Sequence, residues 1–127
     1  MIKVKAQPIE TDIAFSKDRE IVRVDYSHGD LRAFVRDTNT ESEVIVDFYK
    51  VLGFRVLDEG YFMEFWPECS TPNGWLFKIH SGGWLSQKAN SYLVDMNPKA
   101  NEYLIAGEND CLSVICLDAP GVRIQTL

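Results

Sequence analysis

Two short runs joined by four turn-forming residues constrain this chain more than anything else in it. They are Ile21–Tyr26 and Leu31–Arg36, with Ser27-His28-Gly29-Asp30 between them. Val22, Val24 and Tyr26 alternate with Arg23 and Asp25, and Leu31, Ala33 and Val35 alternate with Arg32 and Arg36. Side chains along a strand point to opposite faces in turn, so each run has one apolar and one wet face. Gly29 supplies the positive φ that a tight connection needs. The pattern predicts a hairpin with the apolar set inward and Arg32 and Arg36 in water.

Similar runs follow at short intervals. In Glu43–Tyr49, Val44, Val46 and Phe48 face one way and Glu43, Ile45, Asp47 and Tyr49 the other. Val44, Phe48 and Leu52 are also four apart, as on a helix, but the β-branched run Val44-Ile45-Val46 favours a strand. Gly53 and Gly60 bracket a strand Phe54–Glu59, and the bulky run Tyr61–Trp66 reads as another, ended by Pro67. That strand would set Tyr61, Met63 and Phe65 against Phe62, Glu64 and Trp66. Trp75–His80 places Trp75, Phe77 and Ile79 on one face, and Ser81-Gly82-Gly83 reads as a flexible turn. Leu85, Ala89, Tyr92 and Met96 have helical spacing stopped by Asn97-Pro98, though Ser91–Val94 fits a short strand equally well. Glu102–Ala106 and Leu112–Leu117 are strands. The latter is apolar on both faces, as a central, doubly covered strand is. Val122–Thr126 reads as a short edge strand.

About eight strands against one or two short helices predict a mainly β, or β-rich α+β, chain. The expected architecture is an antiparallel bent sheet, half-barrel or sandwich. With 127 residues the expectation is a single domain spanning 1–127. No window reaches the roughly 18 apolar residues of a membrane helix. Met1-Ile2-Lys3-Val4-Lys5 has no signal-peptide core, so a cytoplasmic location is expected.

Thirteen Lys and Arg against nineteen Asp and Glu give a net charge of −6. That disfavours direct nucleic-acid binding, which needs cations against phosphates. The excess is local. Residues 37–68 hold two basic groups, Lys50 and Arg55, and eight acids: Asp37, Glu41, Glu43, Asp47, Asp58, Glu59, Glu64 and Glu68. Such a segment either solubilises the surface or attracts a basic partner. Asp58, Glu59, Glu64 and Glu68 border the aromatic run, a composition typical of binding hot spots. Asp58, Glu59, Tyr61, Glu64, Trp66 and Glu68 are therefore the candidate partner-binding residues.

Catalytic and metal signals are weak. Cys69, Cys111 and Cys116 form no Cys-x-x-Cys pair, and His28 and His80 lie far from them in sequence, so no metal site and no cofactor are expected. Reduced, buried thiols are the expectation. No Gly-x-Ser-x-Gly or phosphate-binding loop is present. Asp58-Glu59 and Glu64 could be a carboxylate pair, but two acids in an acidic segment are expected by chance. A non-catalytic protein is expected. The competing reading is a β-barrel-like ligand binder or enzyme whose cavity is lined by Trp66, Trp75 and Trp84 with His80 at its mouth.

Several stretches in order carry a resemblance: Gly53-Phe54-Arg55-Val56-Leu57-Asp58-Glu59-Gly60, the aromatic run to Trp66, Gly82-Gly83-Trp84, Glu102-Tyr103-Leu104-Ile105, and Asn109-Asp110-Cys111-Leu112-Ser113-Val114. Over roughly residues 43–120 the chain resembles small bacterial immunity proteins of polymorphic and contact-dependent growth-inhibition toxin systems. The resemblance implies one-to-one binding and neutralisation of a cognate toxin domain, often a nuclease. It carries over no contact residue, because contacts differ from pair to pair.

Overall fold

The computed structural model describes residues 3–11, 13, 18–70 and 73–125. The strands are β1 (Lys5–Pro8), β2 (Arg19–Ser27), β3 (Asp30–Asp37), β4 (Glu43–Phe48), β5 (Val51–Asp58), β6 (Leu76–Ser81), β7 (Asn101–Ala106), β8 (Asp110–Cys116) and β9 (Gly121–Ile124). Two short helices, α1 (Trp66–Cys69) and α2 (Ser91–Met96), follow 3-10 turns at Glu59–Phe65 and Lys88–Asn90. All the pairings are antiparallel. One sheet has the order β1-β6-β7-β8-β5 and the other β2-β3-β4-β9. This is the mainly β, bent antiparallel architecture that the alternation predicts, with no closed barrel among the described residues.

The bend has a local cause. β4 and β5 are joined through Tyr49-Lys50, and Lys50 takes a φ of 53°. β4 pairs with β9 and β5 with β8, so two neighbouring arms pass together from one sheet into the other. The Leu117 N–H donates to the Lys50 carbonyl at 3.2 Å and ties the two corners.

The hairpin β2–β3 turns on His28 (φ 50°) and Gly29 (φ 86°), the pair of positive angles that a two-residue turn with right-handed strand twist requires. Leu31, Ala33 and Val35 are buried as expected. Val22 is not. A bulge between Ile21 and Arg23 leaves it unpaired, so Ile21, Val24 and Tyr26 oppose Val35, Ala33 and Leu31 instead.

The main core lies between the sheets, where Leu31, Ala33, Val35, Val44, Val46 and Phe48 meet Leu76, Tyr103, Ile105, Leu112, Val114 and Cys116. A second cluster covers the opposite face of the five-stranded sheet, with Phe62, Phe65 and Cys69 over Phe77, Ile79, Leu104, Ala106 and Cys111. β8 is thus covered on both sides, which is why its sequence is apolar on both faces. On β3 the outer face of the four-stranded sheet is the more open one, with Arg32 and Arg36 exposed. That face carries Asp47 between Arg32 (3.1 Å) and Arg123 (2.7 Å).

The expected strand Tyr61–Trp66 is instead 3-10 turns continuing into α1. Phe62, Phe65 and Cys69 are spaced by three and four, so one helical face presents all three to the sheet. A strand would have put Phe62 and Phe65 on opposite sides. Pro67 sits in the first turn of α1, where its missing N–H costs nothing, so it opens a helix rather than ending a strand. Gly53 lies inside β5 rather than before it, and a Cβ there would stand 3.7 Å from Trp84 Cη2. The Leu85–Met96 stripe does not become a core-facing helix. Only Ser91–Met96 is α-helical, and Tyr92 and Met96 are exposed. β9 is an edge strand as expected, Thr126 lying outside the described residues.

Candidate protein-binding surface

β5 leaves the edge of the five-stranded sheet at Asp58, whose carboxylate accepts the Gly60 N–H at 2.9 Å and so starts the helical turns. Over the next residues the buried side chains Phe62, Phe65 and Cys69 fix the segment to the sheet. The opposite side is left outward. Tyr61 is 72% and Met63 71% exposed, and Asp58, Glu59, Glu64 and Glu68 are exposed as well. Residues 56–77 contain these four acids and no Lys or Arg. The surface is acidic with two large apolar side chains standing in it.

Five of the six candidate residues therefore share one short segment at the surface. Trp66 departs from the expectation, because it packs half-buried against the second cluster. Met63 is a surface member that the strand reading assigned no role. The other acids of residues 37–68 are spread out. Asp47 is paired with two arginines, and Glu43 lies 3.7 Å from Arg36. Asp37 is buried, accepting the N–H groups of Asn39 and Thr40.

Arg55, on β5 behind this surface, has a distinctive setting. Its guanidinium carbon lies 4.8 Å from the centre of the Trp84 ring and 5.3 Å from that of Phe62. Cations are attracted to the negative face of an aromatic ring. Nε is buried and has no hydrogen-bond partner among the described residues. Burial pushes the guanidinium below its usual pKa, opposed by the carboxylates of Glu102 and Glu64.

Glu102 holds this arrangement in place. It is 1% exposed, and its carboxylate accepts the N–H of Trp84 at 3.1 Å and of Leu85 at 2.8 Å. Burial raises its pKa, while those two N–H groups and Arg55 pull it back. The double glycine makes room. A side chain on Gly83 would lie 2.7 Å from both carboxylate oxygens and from Ile79 Cγ2. Gly82 takes a φ of +77° with the Lys3 carbonyl against it. Ser81-Gly82-Gly83 is thus a fitted close approach, not the flexible turn its composition suggests. Glu102 is absent from the sequence-based candidates. The one local signal is a charge at an otherwise apolar strand position.

The three tryptophans occupy separate packing units. Trp75 belongs to the core between the sheets, Trp66 to the second cluster, and Trp84 lies over Arg55. His80 is exposed, with Nε2 3.2 Å from Gln7 Oε1. A surface hollow of about 500 Å³, lined by Ile9, Ile13, Pro120, Val122 and Arg123 among others, contains none of the three indoles. Among the described residues no three His, Cys, Asp or Glu side chains are grouped to hold a metal ion. No helix among them is long and apolar enough to cross a membrane. Compared with known proteins, the chain matches no family model, no curated protein and no solved structure.

Proposed function

We propose that this protein is an immunity protein that binds and neutralises a cognate toxin domain, with a basic nuclease as the toxin class its charge favours. The observation that carries the reading is the outward set Asp58, Glu59, Tyr61, Met63, Glu64 and Glu68, fixed to the sheet by Phe62, Phe65 and Cys69. A nuclease needs a basic cleft for its phosphodiester substrate. An acidic, rigidly supported surface with apolar anchors can occupy or cover such a cleft, gaining fast association and strong coupling where charges are desolvated. The protein contributes no chemistry of its own in this reading. It competes with substrate by occupying the cleft or blocking access to it.

The test is calorimetry against the toxin domain encoded beside this chain's gene, at low and high salt. Asp58→Asn keeps the acceptor for the Gly60 N–H and removes the charge, so the turn is preserved. Combined with Glu59→Lys and Glu64→Lys, it should cost about 2–5 kcal/mol of binding if the acids meet buried toxin cations. Reversing Glu41, which lies outside this surface, should change affinity by about 1 kcal/mol or less. Unchanged affinity in the folded triple variant places the interface elsewhere. No binding by the wild type refutes the reading for that toxin.

A further inference from the structure

Among the described residues, β5 is an edge strand with an unpaired outer side. The Gly29 carbonyl accepts the Val51 N–H at its start, and the Asn109 carbonyl accepts the Glu59 N–H just past its end. Between them, among the described residues, no backbone group outside the β5–β8 ladder bonds Leu52–Leu57. Exposed edges of this kind are templates for further pairing, and proteins ordinarily blunt them with short length, proline, bulges or charge. The other three edges are blunted. β1 and β9 are four residues each, and β1 contains Pro8. β2 is bulged and carries Glu20 and the ion pair Arg23–Asp25. β5 is eight residues long, and past its bulge at Val51/Gly53 its one charge before Asp58 is Arg55. That charge is drawn away between Trp84 and Phe62, so it does not guard the edge.

The side chains beside this edge are apolar. Phe54 and Val56 are 36% and 42% exposed, and the Tyr26 ring on β2 lies 5.4 Å from that of Phe54. Together they form an apolar seam where the two sheets part. The seam runs toward Asp58 and Glu59.

Resting on the immunity reading, we propose that β5 takes up an extended segment of the toxin as an added strand, its apolar side chains over Tyr26, Phe54 and Val56 and a basic residue beside Asp58 and Glu59. Main-chain bonds supply affinity in such an arrangement, and alternate side chains supply selectivity. The charge at the end of the seam selects a cationic segment. A second copy of this chain is a poor occupant. Two β5 strands paired about a two-fold axis oppose Arg55 to Arg55 when centred there, and Phe54 to Asp58 when centred on Val56. Centred on Phe54, the pairing runs into the bulge at Val51/Gly53.

Residue-resolved amide exchange on the full chain tests this. One probe is a synthetic peptide alternating threonine and valine and closed by two lysines; the other is the same peptide closed by two glutamates. The lysine peptide should slow the outward amides between Gly53 and Asp58 by about tenfold or more, and the glutamate peptide should not. The double variant Phe54→Lys/Val56→Lys should abolish the effect while the β7 and β8 amides stay protected. No slowing at millimolar peptide overturns the proposal, as does protection that grows with protein concentration alone, which marks self-association. Equal slowing by both peptides overturns selection by charge. The same measurement with the neighbouring toxin domain separates the two readings. Tight binding with freely exchanging β5 amides overturns strand addition and leaves the immunity function standing. Peptide uptake by a chain that ignores that toxin domain does the reverse.

Discussion

Replacing Gly83 by alanine should be among the most damaging single-methyl additions in this protein. The new Cβ would lie 2.7 Å from both oxygens of Glu102 and from Ile79 Cγ2, so the neighbours must give way. Ile79 and Glu102 are both buried in a covered sheet face, with little room to retreat. If the carboxylate moves, the Trp84 and Leu85 N–H groups lose an acceptor now held at 3.1 and 2.8 Å. A hydrogen bond to a charged group contributes about 1.5–3 kcal/mol. Overpacking a core position costs about 1–3 kcal/mol. The sum is roughly 2.5–6 kcal/mol, a large share of the 5–15 kcal/mol that typically holds a domain folded. Urea denaturation followed by tryptophan fluorescence measures it, with an unchanged m-value confirming that the same transition is compared. A double-mutant cycle isolates the cause. In a Glu102→Ala background the carboxylate is gone, so Gly83→Ala should cost only the Ile79 contact, about 1 kcal/mol, leaving a coupling of roughly 1.5 kcal/mol or more. A cost of Gly83→Ala below about 0.5 kcal/mol, or strict additivity in the cycle, would refute the reasoning.

Three further outcomes are expected. Burial pushes the Cys69 and Cys116 thiols up to about 12 and Cys111 to about 11, so none should react with an aromatic disulfide reagent at mildly alkaline pH until the chain is unfolded. The folded state also holds these protons more tightly than the unfolded state, so denaturant midpoints should fall as pH rises past about 9, where an unfolded thiol ionises. Phe65→Ala, at a side chain 1% exposed beneath the acidic segment, should cost about 3–5 kcal/mol by thermal or urea unfolding, whereas Tyr61→Ala, on the outer side, should cost under about 0.5 kcal/mol. Asp47→Asn, which leaves Arg32 and Arg123 without their shared carboxylate, should lower the unfolding midpoint, and the difference should shrink in concentrated salt.

The strands were legible where one face is wet. β2 and β3 alternate in sequence because water lies on one side and the core on the other, and that contrast is local. β8 could be read as central from its composition, since a strand covered on both sides has no polar period. The Tyr61–Trp66 segment misleads because its bulky residues satisfy two periods at once. What decides between them is whether Phe62 and Phe65 must share a side, and that depends on the sheet face beneath them. The acids of residues 37–68 could be named from charge alone, whereas their division could not: Asp47 turns to two arginines, Glu43 lies beside Arg36, and Asp58 caps a turn. Glu102 is the clearest limit. Its partners are backbone N–H groups at Trp84 and Leu85, which every residue but proline has, so no side-chain pattern announces them. Alternation, turn chemistry and charge are written residue by residue along the chain. Which face is covered, which edge is left open and which buried charge is satisfied depend on segments far apart in sequence, and only their packing decides them.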